Sequence, residues 1–467
     1  MGLSGRWRSV VLALLASAGV PMTATGCSDS GEPTKVEQVA ETTHSLEVSA
    51  FPAHAARQWM VTLANCVKFD GISPPVAART YSYAAIAMYE ALVHGMPGYK
   101  SLAGQLNGLP SLPQPDPGLE YDWPSVLAAT MDRLVRHPLP GSLFAYPNRI
   151  FFEFTTFTQS ALFKLGPTQL GYRGTAGVPA NVIQNSVDYG NQLADTLIPW
   201  IVADGYFDLR YKGFIPPQGP QYWVPTGFSD TDKVENPLEP HFGELRPLVL
   251  TSPDECAPPA PPPFSTDPAS AMYAEANAVY QTDINLTDAQ IETARFWADG
   301  PKDTATPSGH WLAIANQLLR NKNLAEAARG YALTSIGYFD AFIAVWQSKF
   351  VHNLLRPETY IRRHISADWR PLLPTPQFPE YVSGHSGQSM AAAVMFTEVF
   401  GGGAFTDNTK LRRGFASRSF ASFTAAADEA AISRVYGGIH YPMGSNEGKV
   451  LGTCVGNAIK TRIDITE

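Results

Sequence analysis

From about Ala53 onward, apolar residues recur at three- and four-residue intervals in stretch after stretch, and no segment sustains the apolar-polar alternation of a half-buried strand. The clearest stretches in the first half are Arg79 to His94, Pro124 to Arg136 and Asn181 to Val202. Later ones are Ala269 to Tyr280, Thr287 to Trp297, a long one from Leu324 to Leu355, then Ser386 to Phe400, Phe423 to Tyr436 and Gly448 to Ile463. Such stripes can be buried only by packing helix on helix, so the expected fold is all-α, built as helical bundles with few strands. Between Lys212 and Pro268 the pattern stops, and a run from Ala257 to Phe264 is too rich in proline for helix. This irregular segment, 212–268, separates a front helical region, 51–211, from a back one, 269–467. No repeat at a fixed period is visible.

With 467 residues, 45% hydrophobic and 16% charged, the chain has ample material for a core. A formal net charge of -8 gives no electrostatic footprint for nucleic acid, so any basic site must be local. Arg6 and Arg8 precede an apolar run from Val10 to Val20 that is too short to span a bilayer, which reads as an export signal over 1–26. Ala24-Thr25-Gly26-Cys27 resembles a bacterial lipobox, so Cys27 is expected to carry a lipid, the alternative being a plain secreted or periplasmic protein. Residues 27–50 are polar and aperiodic and read as a tether. Cys66, Cys256 and Cys454 lack any zinc-type spacing and can form at most one disulfide with one thiol left over, or remain as thiols.

Three short elements carry chemistry. In Lys349-Phe-Val-His-Asn-Leu-Leu-Arg356-Pro357 the two cations are seven residues apart, nearly two helical turns, which places them on one helix face with Pro357 ending the helix. Taken alone, they read equally as solvent-facing cations at a helix C-terminus. In Phe378-Pro-Glu-Tyr-Val-Ser383-Gly384-His385-Ser386 a helix start offers backbone N–H groups and a hydroxyl to an anion, with His385 beside them, or simply a serine cap with a partly buried histidine. In Ser433-Arg434-Val-Tyr-Gly-Gly-Ile-His440 the six-residue spacing suits convergence only if Gly437-Gly438 ends the helix. Arginine offers a planar fork to an oxyanion, and a neutral imidazole can ligate a metal or attack phosphorus.

Occurring in this order, the three elements resemble those of the vanadium-dependent haloperoxidase and type 2 phosphatidic acid phosphatase superfamily, whose pattern is K-x6-R-P, then P-S-G-H, then S-R-x5-H-x3-D. The resemblance is specific over Arg295 to Gly448 and architectural before that. It implies that Lys349, Arg356, Ser383, Gly384 and Arg434 hold the oxygens of a bound vanadate, that Lys349 is also catalytic by polarising bound peroxide for attack by halide, that His385 is the acid/base, and that His440 is the apical ligand of vanadium or, in a phosphatase, the nucleophile. Trp346 and Phe378 are similar to aromatics lining the halide side of the fungal chloroperoxidases, and each is equally compatible with plain packing. Phe296-Trp297-Ala298-Asp299-Gly300 resembles a segment whose Asp pairs with the arginine of the third element, so an Asp299 to Arg434 ion pair is expected.

Two positions depart from the pattern. Val382 stands where a proline precedes the serine, a change in backbone shape that removes no ligand. Gly444 stands in place of the Asp that fixes the imidazole, for which Asn446 or Glu447 could substitute from the neighbouring turn. Pro307-Ser-Gly-His310 matches the middle element literally but precedes Lys349, and reads as a helix start near the pocket mouth. The expected activity is oxidation of halide by hydrogen peroxide to hypohalous acid, with vanadate as cofactor and small organic molecules as acceptors. Nucleic acid is excluded as a partner, and a membrane enters only through Cys27. The rivals are an acid phosphatase using the same pocket and a noncatalytic oxyanion-binding lipoprotein.

Overall fold

The computed structural model describes residues 46–137, 154–226 and 236–466. The expected leader, Cys27 and most of the tether lie outside them. Helices dominate: α1 (His54–Asp70), α2 (Pro74–Leu92), α3 (Trp123–Arg136), α4 (Thr156–Thr175), α5 (Ala180–Val202) and the short α6 (Tyr206–Leu209) come first. After the irregular segment follow α7 (Ala271–Ile284), α8 (Asp288–Phe296), α9 (Thr306–Leu318), α10 (Leu324–His352), α11 (Pro357–His364), α12 (Gly384–Phe400), α13 (Phe423–Tyr436) and α14 (Pro442–Arg462). The one sheet among the described residues is a hairpin pairing β1 (Phe405–Asp407) with β2 (Arg418–Phe420). The all-α expectation therefore holds. None of the described helices is long and apolar enough to cross a membrane.

The 29-residue α10 is the central beam. Asn323 caps its start, accepting from the Glu326 N–H while the Glu326 carboxylate takes the Asn323 N–H, a reciprocal box that satisfies two otherwise orphaned donors. The beam packs against α2 on one side and α12 on the other. Nearly all of its residues are buried, which is why its apolar pattern is broad instead of a single stripe.

α12 and α14 pack closely because α14 carries glycine at 448, 452 and 456, one every four residues and so on one face, which meets Ser386, Gly387 and Val394. At Gly452 an added Cβ would lie 2.1 Å from the Gly387 carbonyl oxygen of α12, so no larger residue fits without separating the pair. This contact sets the start of α12, with Ser383 and His385, against the turn carrying His440.

The irregular segment is held by bonds from the beam. The buried Asp340 carboxylate accepts the N–H groups of Leu248, Val249 and Leu250 at 2.6, 2.8 and 3.0 Å, donors that a non-helical chain cannot satisfy internally. A disulfide between Cys256 and Cys454 ties the same segment to α14 across 198 residues of sequence, while the buried Cys66 thiol donates to the Thr158 carbonyl. Replacing Cys256 and Cys454 with serine is expected to cost about 2–5 kcal/mol through the freed unfolded chain. A urea midpoint unchanged between oxidised and substituted protein would show that the crosslink contributes nothing.

Candidate active site

Lys349 lies in the last turn of α10, but Arg356 does not lie on that helix. The helix ends at His352, Asn353 takes a left-handed conformation with φ 46°, and Pro357 begins α11 at its first turn, where its missing N–H costs nothing. The expected single helix face is thus replaced by a sharp exit, and Arg356, as the residue preceding α11, turns its guanidinium inward. Its Nε donates to the Phe378 carbonyl at 2.8 Å, and Nη1 donates to the Ile439 carbonyl at 2.9 Å and to His440 Nε2 at 3.1 Å. Nη2 is buried with no partner.

The end of α13 behaves as its glycines require. Gly437 caps the helix and Gly438 adopts φ +73°, where a Cβ would also meet Pro371. The chain doubles back, which carries His440 toward Arg434. Arg434 is fixed by Nη1 donating to the Trp297 carbonyl at 2.7 Å, and its Nε is buried without a partner. At the start of α12, Ser383 is the cap and accepts from the Ser386 N–H at 3.3 Å. The Ser383 N–H is taken by the Gly444 carbonyl at 2.9 Å, so of the two backbone donors expected there only that of Gly384, which has no intrahelical acceptor, remains available. His385 Nε2 is buried and unpartnered. The Tyr381–Val382 peptide that leads into this turn is cis.

The decisive residue at His440 is one the sequence reading passed over. Glu380 Oε1 accepts from His440 Nδ1 at 2.7 Å and from the Tyr441 N–H at 3.1 Å. The acid facing the imidazole is therefore neither Asn446 nor Glu447. A backbone N–H can only donate, so Oε1 is an acceptor, Nδ1 carries the hydrogen and Nε2 keeps its lone pair. Arg356 enforces the same tautomer from the other side. Burial pulls the His440 imidazole well below its usual range, with Arg356, Lys349 and Arg434 adding to the effect, so it stays neutral. Burial likewise pushes the Glu380 carboxyl up to about 7 against the pull of Lys349 and Arg356. His385 is kept neutral by burial and by Arg434.

Lys349 is placed differently from the expectation of a direct anion contact. Its Nζ donates to the carbonyls of Pro379, Glu380 and Val382 at 3.0, 2.8 and 2.6 Å. Burial and Arg356 draw its pKa well down while Glu380 opposes them, yet three acceptors require three hydrogens, so this amine is an ammonium. Trp346 and Phe378 lie beside it, tilted 48° to one another with ring centroids 5.0 Å apart, and Phe378 faces both Lys349 Nζ at 5.1 Å and the Arg356 guanidinium carbon at 4.8 Å.

Asp299 makes no ion pair with Arg434. Its carboxylate binds Lys410 Nζ at 2.6 Å and His310 Nδ1 at 2.9 Å, and His310 Nε2 binds Asp407 at 2.8 Å. His310 is thus buried between two carboxylates instead of standing at a pocket mouth. Burial would raise the Asp299 carboxyl, but Lys410 and His310 hold it well down. Two acids and two bases sum to zero, which makes this cluster self-sufficient. Asp299 reaches Arg434 only through space, where it partly offsets the burial that pulls the guanidinium down to about 10.

The other group of charges does not cancel. Lys349, Arg356 and Arg434 are buried, Glu380 offsets the first two and Asp299, already balanced by Lys410 and His310, acts on the third only through space, and none of the three forms a direct ion pair among the described residues. Two buried positive charges in excess cost several kcal/mol each unless an anion joins them. The unpartnered Arg356 Nη2 and Arg434 Nε supply donors, His385 Nε2 an unspent basic nitrogen, and His440 Nε2, which here accepts from Arg356 Nη1, a ligand nitrogen suited to a tetrahedral oxyanion. The residues present therefore fit vanadate or phosphate.

Comparison with known proteins agrees. Residues 329–464 match the family model described as the second helical-bundle domain of vanadium chloroperoxidase. The crystal structure of a bacterial vanadium-dependent iodoperoxidase is 33% identical with TM-score 0.79, and the match covers 89% of this chain and 98% of that one. Two crystal structures of bacterial vanadium-dependent chloroperoxidase share the fold. The holo form is 15% identical with TM-score 0.60, covering 85% of this chain and 95% of that one, and the apo form is 15% identical with TM-score 0.62, covering 89% and 98%. No curated protein sequence gives a significant match. By its coverage and identity to the iodoperoxidase, and by the order of its three basic elements, the chain belongs to the vanadium haloperoxidase superfamily.

Proposed function

We propose that this protein is a vanadate-dependent haloperoxidase that oxidises halide with hydrogen peroxide to hypohalous acid, which then reacts with small organic acceptors. What supports the reading is that Arg356 Nη2, Arg434 Nε and His385 Nε2 are buried without partners, and that the charges of Arg356 and Arg434 and the His385 imidazole all act on His440. Arg356, Arg434 and the Gly384 N–H would hold the oxyanion, and His440 Nε2 would be its nitrogen ligand. Bound vanadate supplies electrophilic activation of the peroxide. His385, neutral and with Nε2 free, can take a proton from an incoming peroxide and return it to a leaving oxygen. The Trp346 and Phe378 rings exclude water on the side where halide would approach. Iodide is the first halide to test, because the 33% identical relative is an iodoperoxidase.

Metal-free protein reconstituted with orthovanadate is expected to oxidise iodide with peroxide, and the activity should be lost when phosphate competes for the site. Absence of any vanadate-dependent turnover would defeat the proposal.

A second reading, an acid phosphatase, is favoured by one observation. The Glu380 to His440 pair supplies the acid that a histidine nucleophile needs, which Gly444 alone would have denied it. Hydrolysis of a chromogenic phosphate monoester by the metal-free protein would support it. The same pair weakens the case for a noncatalytic binder, because the imidazole has an acid beside it despite Gly444.

A further inference from the structure

The geometry points to Glu380 as the positioning residue for His440, and to Gly444 as glycine because Glu380 occupies the space that an acid at 444 would otherwise fill. The two positions form an exchangeable pair: an acid in the loop before α12 with glycine at the start of α14, or the reverse. This deepens the oxyanion reading and rests on it for the identity of the bound group, though not for the contact itself.

Three observations carry it. Glu380 is fully buried and spends one carboxylate oxygen on the imidazole and on the next residue's N–H, so it fixes both the ring and the turn that bears it. A Cβ built on Gly444 would lie 2.3 Å from Glu380 Oε1 and 2.8 Å from Oε2, and meets nothing else closer than the same carboxylate. The nearest obstacle to a larger residue here is thus the Glu380 side chain, whereas Gly448 meets Ser386 and the Ser383 carbonyl and Gly452 the Gly387 backbone. Finally, Glu380 is placed by its own backbone, whose N–H donates to the Leu354 carbonyl at 2.9 Å and whose carbonyl accepts from Lys349. The acid and the cationic strip that leads to Arg356 are therefore parts of one brace.

The test uses the full metal-free protein and two readouts. Proton NMR should show a far-downfield, slowly exchanging imidazole Nδ1–H, assigned to His440 by its absence in His440→Ala. Glu380→Ala should abolish that signal and weaken orthovanadate binding by calorimetry about 10- to 100-fold. Glu380→Gln, which keeps an acceptor in the same place, should retain the signal at a less extreme shift. Gly444→Asp alone should behave like Glu380→Ala, because the new side chain collides with the carboxylate. The double change Glu380→Ala/Gly444→Asp should restore the signal and bring vanadate affinity back to within about 10-fold of the parent. A folded Glu380→Ala protein that keeps the signal, or a folded double variant no better than Glu380→Ala in either readout, would overturn the inference. Failure of the parent to bind vanadate would strike the functional reading instead, and the NMR comparison would still decide the role of Glu380.

Discussion

Changing His440 to alanine should abolish vanadate-dependent iodide oxidation, by at least about 10³-fold, as expected when a group acting directly at the reacting centre is removed. The substitution also separates the two enzymatic readings. If His440 Nε2 is a ligand, its loss removes a bond to the cofactor, and orthovanadate affinity falls together with turnover. If it is a phosphorus nucleophile, ground-state binding rests on Arg356, Arg434 and Gly384, and inorganic phosphate should bind the variant nearly as well as the parent while ester hydrolysis disappears. Calorimetry with both anions on the same preparation distinguishes these outcomes. The fold should survive, because Arg356 keeps its bonds to the Phe378 and Ile439 carbonyls and Glu380 keeps the Tyr441 N–H. Unaltered vanadate affinity and turnover in a folded His440→Ala protein would remove the residue from the mechanism.

Much of this arrangement could be read from local sequence, for a physical reason. Helix ends and their caps depend on a few adjacent residues, so the glycine break before His440 and the serine cap at the start of α12 were visible, and α13 was expected with the bounds it has. What could not be read were choices made by distant neighbours. Whether Lys349 and Arg356 share a helix depended on Asn353 accepting a left-handed turn, which only the packing of the following segment rewards. Whether Asp299 met Arg434 depended on Lys410 and His310, one 111 residues and the other 11 residues away, which claim both of its oxygens. Glu380 stood in a segment already singled out, yet nothing local ranks it above Glu447, because the choice is made by the side on which α14 leaves room. The clue was a paired one: an imidazole without its acid, and a glycine where that acid would stand.

The charge balance explains why one histidine cluster is a site and the other is not. His310 carries the more literal match to the middle element, but its two carboxylates and Lys410 leave no charge to be satisfied. Around His440 the cations outnumber the acid, and donors remain unspent. A motif places side chains; the excess of buried charge decides whether they call for a ligand.

Replacing Lys349 with methionine, which fills nearly the same volume, should destabilise the anion-free protein by about 3–5 kcal/mol. The ammonium satisfies three buried carbonyls of the 379–382 segment, and each one left without a donor costs about 1–3 kcal/mol. Relief of the repulsion between Lys349 and Arg356 returns part of that sum, which is why the net loss should fall below the simple total. The same bonds hold Glu380 against His440 and deliver Ser383 to the start of α12, so vanadate affinity should fall as well, as a consequence of a loosened brace. A lysine that acts only by touching the bound anion gives a different pattern: unfolding midpoints equal to the parent without anion, and a deficit that appears only when vanadate is added. Urea titrations of parent and Lys349→Met with and without orthovanadate separate the two. Equal midpoints in its absence would show that the three carbonyls do not depend on this amine, and would return Lys349 to the role of a direct anion ligand.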